Sequence, residues 1–94
     1  MKQMVNITGG YSTEENAWVS DTLTLTGDCW LEVELPSKGY VVIKKQESDG
    51  RWPCALVSPY SGPKFRIRLY GSTKGSKIRI FLTDTPNRIQ YANI

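Results

Sequence analysis

The stretch KFRIRLYGSTKGSKIRIFL, residues 64–82, decides the fold class of this chain. Apolar residues alternate with basic or aromatic ones in both halves, and successive side chains of a strand point to opposite faces of the sheet. Each half is therefore predicted to be a strand with one aliphatic face and one largely basic face. The Gly- and Ser-rich segment 71–76 between them predicts a reversal that lays the two strands side by side as a hairpin.

The remaining chain repeats this pattern of short strands and turns. Cys29–Leu35 alternates cleanly, and Tyr40–Gln46 has the β-branched and aromatic residues of a central strand. Asp49-Gly50 is a type I′ hairpin signal, and Pro53 moves the following strand toward an edge or a bulge. The other predicted strands are Val5–Thr8, Ala17–Ser20, Thr22–Thr26, Arg51–Ser58 and Arg88–Tyr91.

Turn signals every 8 to 12 residues and the lack of an amphipathic helix predict an all-β fold. We expect one domain over residues 1–94: an antiparallel β-sandwich of seven to eight short strands, immunoglobulin-like or jelly-roll-like, with a small barrel as the alternative. Residues 1–16 are expected to form an extended or loosely packed N-terminal segment.

Composition argues against catalysis and against cofactors. The chain has no histidine and only two cysteines, which excludes histidine-based triads and leaves too few ligands for a typical zinc site. It also lacks a P-loop and a GxGxxG motif. Glu32 and Glu34 share one strand face, where a solvated or ion-paired role is the ordinary one. We therefore predict a non-enzyme without metal or cofactor.

The N-terminus and the cysteines indicate where the protein is made. The first residues lack the apolar core of a signal peptide, and no apolar run approaches the roughly 20 residues of a membrane span, which predicts synthesis in a cytoplasm and no membrane partner. In that setting Cys29 and Cys54 are expected to be reduced, packed thiols.

Charge is distributed unevenly along the chain. Residues 1–50 contain four basic and eight acidic residues (net −4), whereas residues 51–94 contain eight basic and one acidic residue (net +7). This asymmetry favours pairing of the two halves, within a subunit or between subunits, over uniform nucleic-acid binding.

The aromatic residues supply the candidate binding surface. Trp30 shares a strand face with Glu32 and Glu34, so an exposed ring flanked by acids is expected to meet an arginine face of a neighbouring copy, because arginine pairs with carboxylates and stacks on rings. The predicted interface residues of a dimer or trimer that loosens in salt are Trp30, Glu32, Glu34, Arg66, Arg68 and Arg79.

Two other functions remain open at this stage. A monomeric carbohydrate-binding or adhesion module would use exposed rings, with Trp18, Trp30, Trp52 and Tyr60 as its candidates. Single-stranded nucleic acid would instead use the basic strand face, where arginines meet phosphates and rings stack on bases.

Residues 40–45 (YVVIKK), the run 77–82 (KIRIFL) and the C-terminal segment 91–94 (YANI) resemble small all-β virion proteins of crAss-like tailed phages, of the head-fibre or capsid-decoration type. The resemblance spans about residues 20–94. It implies a structural subunit that self-assembles, docks on other capsid proteins and carries no cofactor. It further implies localisation in the virion after synthesis in the host cytoplasm, with a host-surface glycan as a further possible partner.

Overall fold

A computed structural model describes residues 4–36, 39–60, 63–71 and 75–93, with side chains omitted for residues 58–60. The described residues form ten strands and no helix, so the all-β expectation is confirmed while the strand number exceeds the predicted seven to eight. The strands are β1 (Val5–Asn6), β2 (Gly9–Ser12), β3 (Ala17–Ser20), β4 (Leu23–Leu25), β5 (Cys29–Glu34), β6 (Gly39–Lys45), β7 (Cys54–Tyr60), β8 (Lys64–Leu69), β9 (Ser76–Leu82) and β10 (Arg88–Asn93).

The strands form two antiparallel sheets. Sheet A has the order β1-β10-β5-β8, and sheet B has the order β2-β3-β9-β6-β7 with β4 also paired to β9. The predicted central strand, β6, lies between β9 and β7, and the strand that follows Pro53, β7, lies at an edge of sheet B. Both of these placements were predicted from the sequence.

The two sheets share one hydrophobic core. Sheet A contributes Leu31 and Val33, and sheet B contributes Val41, Ile80 and Leu82, each at most 3% exposed. Alternation assigned four of these residues, Leu31, Val33, Ile80 and Leu82, to the apolar faces of their strands. Burial of a side chain of this size contributes about 1.5–3 kcal/mol, so the shared core is the main source of stability.

The predicted hairpin of residues 64–82 is wrong. β8 pairs with β5 in sheet A, whereas β9 pairs with β6, β3 and β4 in sheet B, so the chain crosses between the sheets after β8. Alternation predicts which face of a strand is buried, but it does not predict which other strand lies beside it. Side-by-side pairing would crowd the arginines of both strands, and like charges on neighbouring strands are destabilising. β5 instead offers β8 two glutamates.

Strand β2 has the composition of a turn, with two consecutive glycines. It forms because β3 provides a partner edge, with Gly9 opposite Ser20 and Tyr11 opposite Trp18. A Cβ atom at Gly9 would lie 2.4 Å from the Val19 carbonyl oxygen and 2.6 Å from the Trp18 ring. Glycine is therefore required by the close approach of the two strands. Within the N-terminal segment Ile7 is also buried, at 6% exposure.

The β6–β7 connection is a hairpin, but its turn is not type I′. The backbone N–H of Gly50 donates to the Glu47 carbonyl at 3.0 Å, and Gly50 has φ +90°. A type I′ turn at Asp49-Gly50 would require a positive φ at Asp49 as well. Asn16 is the single non-glycine residue with positive φ in the described part of the chain. Here the glycine follows the turn instead of occupying its centre.

Candidate interaction surfaces

The outer face of sheet A presents what we call the charged ladder: Asp28, Trp30, Glu32, Glu34, Lys64, Arg66 and Arg68. Strand register builds most of it, since Glu34 lies opposite Lys64, Glu32 opposite Arg66 and Trp30 opposite Arg68. Directly opposed side chains on neighbouring strands lie on the same face of the sheet and close enough to interact. Alternation in β5 and β8 thus brings acids and bases together row by row.

Ion pairs connect the rows of the ladder. The Arg66 guanidinium donates from Nε to Glu32 Oε1 at 3.0 Å and makes a second contact to the same oxygen. Arg68 reaches Asp28 at 3.2 Å, and Lys64 lies 3.8 Å from Glu34. These side chains are a third to three-quarters exposed, so each pair contributes at most about 1 kcal/mol.

Aromatic rings hold the two arginines in place. The guanidinium carbons of Arg66 and Arg68 lie 5.5 and 5.9 Å from the Trp30 ring centroid, and Arg68 is also 5.4 Å from the Tyr70 ring. Stacking on rings orders guanidinium groups that would otherwise be mobile. Trp30 remains 37% exposed. The result is a charged surface with an aromatic ring at its centre.

The sequence-predicted interface residues therefore separate into two groups. Trp30, Glu32, Glu34, Arg66 and Arg68 lie together in one chain, where acidic and basic halves already pair. Arg79 lies on β9 of sheet B, so the basic face predicted for residues 64–82 is divided between two sheets. The division follows directly from the crossing after β8.

The outer face of sheet B presents a different surface, which we call the apolar row: Val19, Phe81, Val42 and Val57. The register places Val19 opposite Phe81, Phe81 opposite Val42, and Val42 opposite Val57, so the row crosses four strands from β3 to β7. The first three side chains are half-buried, and Val57 at the sheet edge is 60% exposed. An apolar row on a solvent-facing sheet surface is typical of a contact site.

Cations border the apolar row. The Lys44 ammonium lies 4.5 Å from the Phe81 ring centroid, and the Arg79 guanidinium lies 4.5 Å from the Trp52 ring. Arg79 also donates from Nε to the Thr22 hydroxyl at 3.1 Å. Within the described residues neither cation forms an ion pair, in contrast to the arginines of the charged ladder. This side of the molecule is apolar and positively charged.

The four glycan candidates do not form one site. Trp18 is 5% exposed and packs in the core. Trp30 belongs to the charged ladder on sheet A, whereas Trp52 precedes β7 of sheet B. The side chain of Tyr60 lies outside the described residues. Trp52 lines an open depression of about 340 Å³ with Glu47, Arg51 and Pro53.

The two cysteines have different environments. Cys29 is buried in the core, where burial, and secondarily the nearby Asp28 carboxylate, raises the pKa of its thiol. Cys54 is exposed on β7, so only one of the two expected packed thiols is packed. Both are free thiols. In the described part of the chain no cluster of acidic or cysteine side chains has the arrangement of a metal site.

Sequence reasoning missed the apolar row, although a signal for it was present. Val42 and Phe81 occupy the outward phase of their strands, where a solvated sheet face ordinarily carries polar residues. Large apolar residues in both phases indicate a strand with two covered faces. Only the register shows that these residues and Val19 and Val57 lie side by side.

Comparison with protein-family models, with curated proteins and with solved structures found no match to this chain. A search of the described residues for a helix long and apolar enough to span a membrane was also negative.

Proposed function

We propose that this protein is a non-enzymatic structural subunit of a virion, of the head-fibre or capsid-decoration type, which assembles with itself and docks on a capsid. The observation that carries the proposal is the apolar row on sheet B beside Lys44 and Arg79, which form no ion pair within the described residues. Such a surface is stabilised by contact with another protein surface, because apolar side chains leave water and the cations gain carboxylate partners. The resemblance of segments 40–45 and 77–82 to phage virion proteins supplies the setting.

The shared core supports the finer fold assignment. We propose a β-sandwich, immunoglobulin-like or jelly-roll-like, because two antiparallel sheets bury their facing sides against each other. A sandwich presents two rigid outer faces on opposite sides of the molecule. The apolar row and the charged ladder then contact different partners: the apolar row meets another copy of the chain, and the charged ladder meets a capsid protein.

The apolar row is the better candidate for the principal contact. In the charged ladder Glu32 and Glu34 already have basic partners in their own chain, so a neighbouring copy would have to replace existing ion pairs. A neighbouring copy would not have to replace any ion pair at Val42 and Phe81, since Lys44, the cation beside them, forms a cation–π contact with the Phe81 ring. Trp30 contributes at most a central ring to a second, weaker contact, since tryptophan and arginine are enriched among residues that dominate binding energy.

The first experiment measures native mass by light scattering at about 50 mM and about 1 M NaCl, where the Debye length falls from roughly 14 to 3 Å. Contact through the apolar row predicts an oligomer that persists in high salt. This replaces the salt-sensitive assembly expected from the sequence, because the ladder's ion pairs are closed within one chain. A monomer at both salt concentrations would contradict self-assembly.

A matched pair of variants locates the contact. Val42→Ser removes the half-buried side chain that lies opposite Val57 in the apolar row, and we expect it to weaken self-association at least about tenfold, which corresponds to 1.4 kcal/mol. Gln90→Ser changes a half-buried residue on the outer face of sheet A and is expected to leave association unchanged. Equal loss in both variants would place the contact elsewhere.

Virion localisation has its own test. Mass spectrometry of purified particles of the phage that encodes this chain is expected to detect the protein in many copies per particle. Its presence in infected-cell lysate but absence from purified particles would contradict the virion assignment.

A carbohydrate-binding function is the second candidate, and the Trp52 depression favours it. A ring beside Glu47 and Arg51 combines an apolar platform with hydrogen-bonding groups, which suits a sugar. A glycan array followed by Trp52→Ala and Trp30→Ala tests it. Loss of a signal with Trp52→Ala alone would support this candidate, and an array without any signal would remove it.

The charges of the ladder weaken the nucleic-acid alternative. Lys64, Arg66 and Arg68 each face a carboxylate of their own chain, so phosphates would compete with existing partners. Retention on heparin at low salt that is lost in the double variant Arg66→Ala/Arg68→Ala would revive this alternative.

A further inference from the structure

In the described part of the chain the edge strands are protected to different degrees. Edge strands β1, β4 and β2 have only two, three and four residues, and edge strand β8 carries Lys64, Arg66 and Arg68, all exposed. Shortness and charge are common means by which proteins prevent edge-to-edge pairing. Edge strand β7 is seven residues long and contains no charged residue. Cys54, Ala55 and Val57 in β7 are exposed, so this edge is the open one.

The hydrogen-bond pattern shows which backbone groups of β7 point outward. The N–H of Lys45 donates to the Pro53 carbonyl at 3.1 Å, so Lys45 directs its backbone groups toward the β7 side. By alternation Ile43 and Val41 do the same, and their register partners on β7 are Leu56 and Ser58. Leu56 and Ser58 therefore direct their backbone groups toward β6.

Val57 and Pro59 must then direct their backbone groups away from the sheet. Val57 offers both a donor and an acceptor to a further strand. Pro59 offers only its carbonyl. Because Pro59 occupies an outward position, its missing N–H removes no hydrogen bond between β6 and β7. Pro53 and Pro59 bracket the open edge, which limits additional pairing to about five residues.

We infer that a second copy of this chain occupies this edge, with β7 pairing antiparallel to the same strand of its partner about a two-fold axis near Val57. The two six-stranded sheets become one continuous sheet. This inference rests on the self-assembly part of the proposed function and specifies its geometry. A two-fold contact closes after two copies, and the flanking prolines prevent its extension.

Charge selects β7 over β8 for pairing with a second copy. Pairing of β8 with itself would bring Lys64, Arg66 and Arg68 of the two copies to within about one strand spacing, roughly 5 Å. Pairing of β7 with itself brings no charges that close. The nearest outer-face cation is Lys44 on β6, and the two β6 strands would be three spacings apart, about 14 Å. That exceeds the Debye length of about 8 Å at physiological salt.

Pairing at β7 also extends the apolar surface. Val57 is the last member of the apolar row, so a two-fold axis beside it joins the rows of both copies into one. An apolar cleft of about 210 Å³ opens between this edge and β8, lined by Leu56, Leu69 and Tyr70 among others. Ala55 and Leu56 of β7 both line this cleft. A strand docked at β7 therefore has apolar surface next to it as well as backbone hydrogen bonds.

The experiment compares two substitutions of an exposed edge valine by lysine. Val57→Lys changes β7, and Val5→Lys changes edge strand β1, where Val5 is 44% exposed. Sedimentation equilibrium over roughly 1–500 µM covers the affinity expected, since a five-residue edge contact is smaller than the roughly 1,200 Å² of standard interfaces. We expect a concentration-dependent dimer for the wild type and for Val5→Lys. We expect at least about 30-fold weaker dimerisation for Val57→Lys.

Amide exchange of the wild type provides a readout that does not depend on folding of a variant. The Val57 N–H should be protected at high concentration and exchange faster on dilution. The matched control is the Arg66 N–H, which points away from β5. The Pro63 carbonyl accepts from the Leu35 N–H at 2.7 Å, so Pro63 directs its backbone groups toward β5. By alternation Phe65 does the same, and Arg66 directs its backbone groups outward. Its exchange should not depend on concentration.

The outcomes separate this inference from the proposed function. A dimer whose Val57 amide exchanges freely, or one that survives Val57→Lys, overturns pairing at β7 but leaves self-assembly intact. A wild-type monomer throughout the concentration range overturns both. Protection of Val57 that disappears on dilution supports the pairing directly.

Discussion

The two outer faces of this molecule are built by the same alternation and have opposite chemistry. On sheet A, strands β5 and β8 place Glu32 against Arg66 and Glu34 against Lys64, so charges meet their partners within one chain. On sheet B, strands β6 and β9 place Val42 against Phe81. On the first face Lys64, Arg66 and Arg68 each have an acidic partner in the same chain. The second face leaves apolar surface for a partner.

This difference shows that exposed charge in a sequence is weak evidence for an interface. All the charged residues that first suggested a contact, except Arg79, form ion pairs within the chain, whereas the apolar row consists of three valines and one phenylalanine. The inner faces, in contrast, are both largely apolar. Experiments can therefore test whether the two sheets differ on their outer faces alone.

The largest expected effect concerns the inner faces. Leu31→Ala in sheet A and Ile80→Ala in sheet B each remove a side chain that is 0% exposed. Each substitution should lower the free energy of unfolding by about 2–5 kcal/mol, since both leave a cavity in the shared core. Urea unfolding in a monomeric background measures this loss of free energy. A loss below about 1 kcal/mol at either residue would show that the two sheets do not contribute equally to the core.

An intermediate effect concerns the charged ladder. Glu32→Gln removes the carboxylate that accepts from Arg66, and both side chains are more than one-third exposed. The free energy of unfolding should fall by no more than about 1 kcal/mol, with the difference from wild type shrinking in 1 M NaCl. Val42→Thr on sheet B serves as the control, since its effect should not depend on salt. A salt-independent loss for Glu32→Gln would contradict an electrostatic role.

The smallest effect concerns the cysteines. A thiol-specific reagent should label exposed Cys54 at once and Cys29 only on unfolding. The pKa of the Cys29 thiol is raised in the folded state, so the unfolded state releases its proton first as the pH rises. The free energy of unfolding should therefore decline slightly above the ordinary thiol pKa and be unaffected at neutral pH. Urea unfolding at pH 7 and pH 9.5 in a Cys54→Ser background tests this sign.

Much of the fold could be predicted because burial follows local pattern. Alternation in Cys29–Leu35 correctly assigns Leu31 and Val33 to the core, and the run Tyr40–Gln46 correctly marks a central strand. β2 could not be predicted, since Gly9 and Gly10 have poor strand propensity and pair only because β3 offers an edge. Alternation also placed Trp30, Glu32 and Glu34 on one strand face, as the structure has them, and their role in an interface stays a prediction. The apolar row could not be predicted, because it depends on a register across four strands.

The sequence by itself determined the class of fold, the buried face of most strands and the separation of acidic and basic halves. These properties depend on the two-residue period of a strand and on composition, which are local. Only the tertiary structure decided which strands are neighbours, and thereby divided residues 64–82 between two sheets. Pairing depends on contacts between residues far apart in the chain, where packing and charge select among strands with the same period. The strand pairing places acidic residues against basic ones on the outer face of sheet A and places Val42 against Phe81 on the outer face of sheet B.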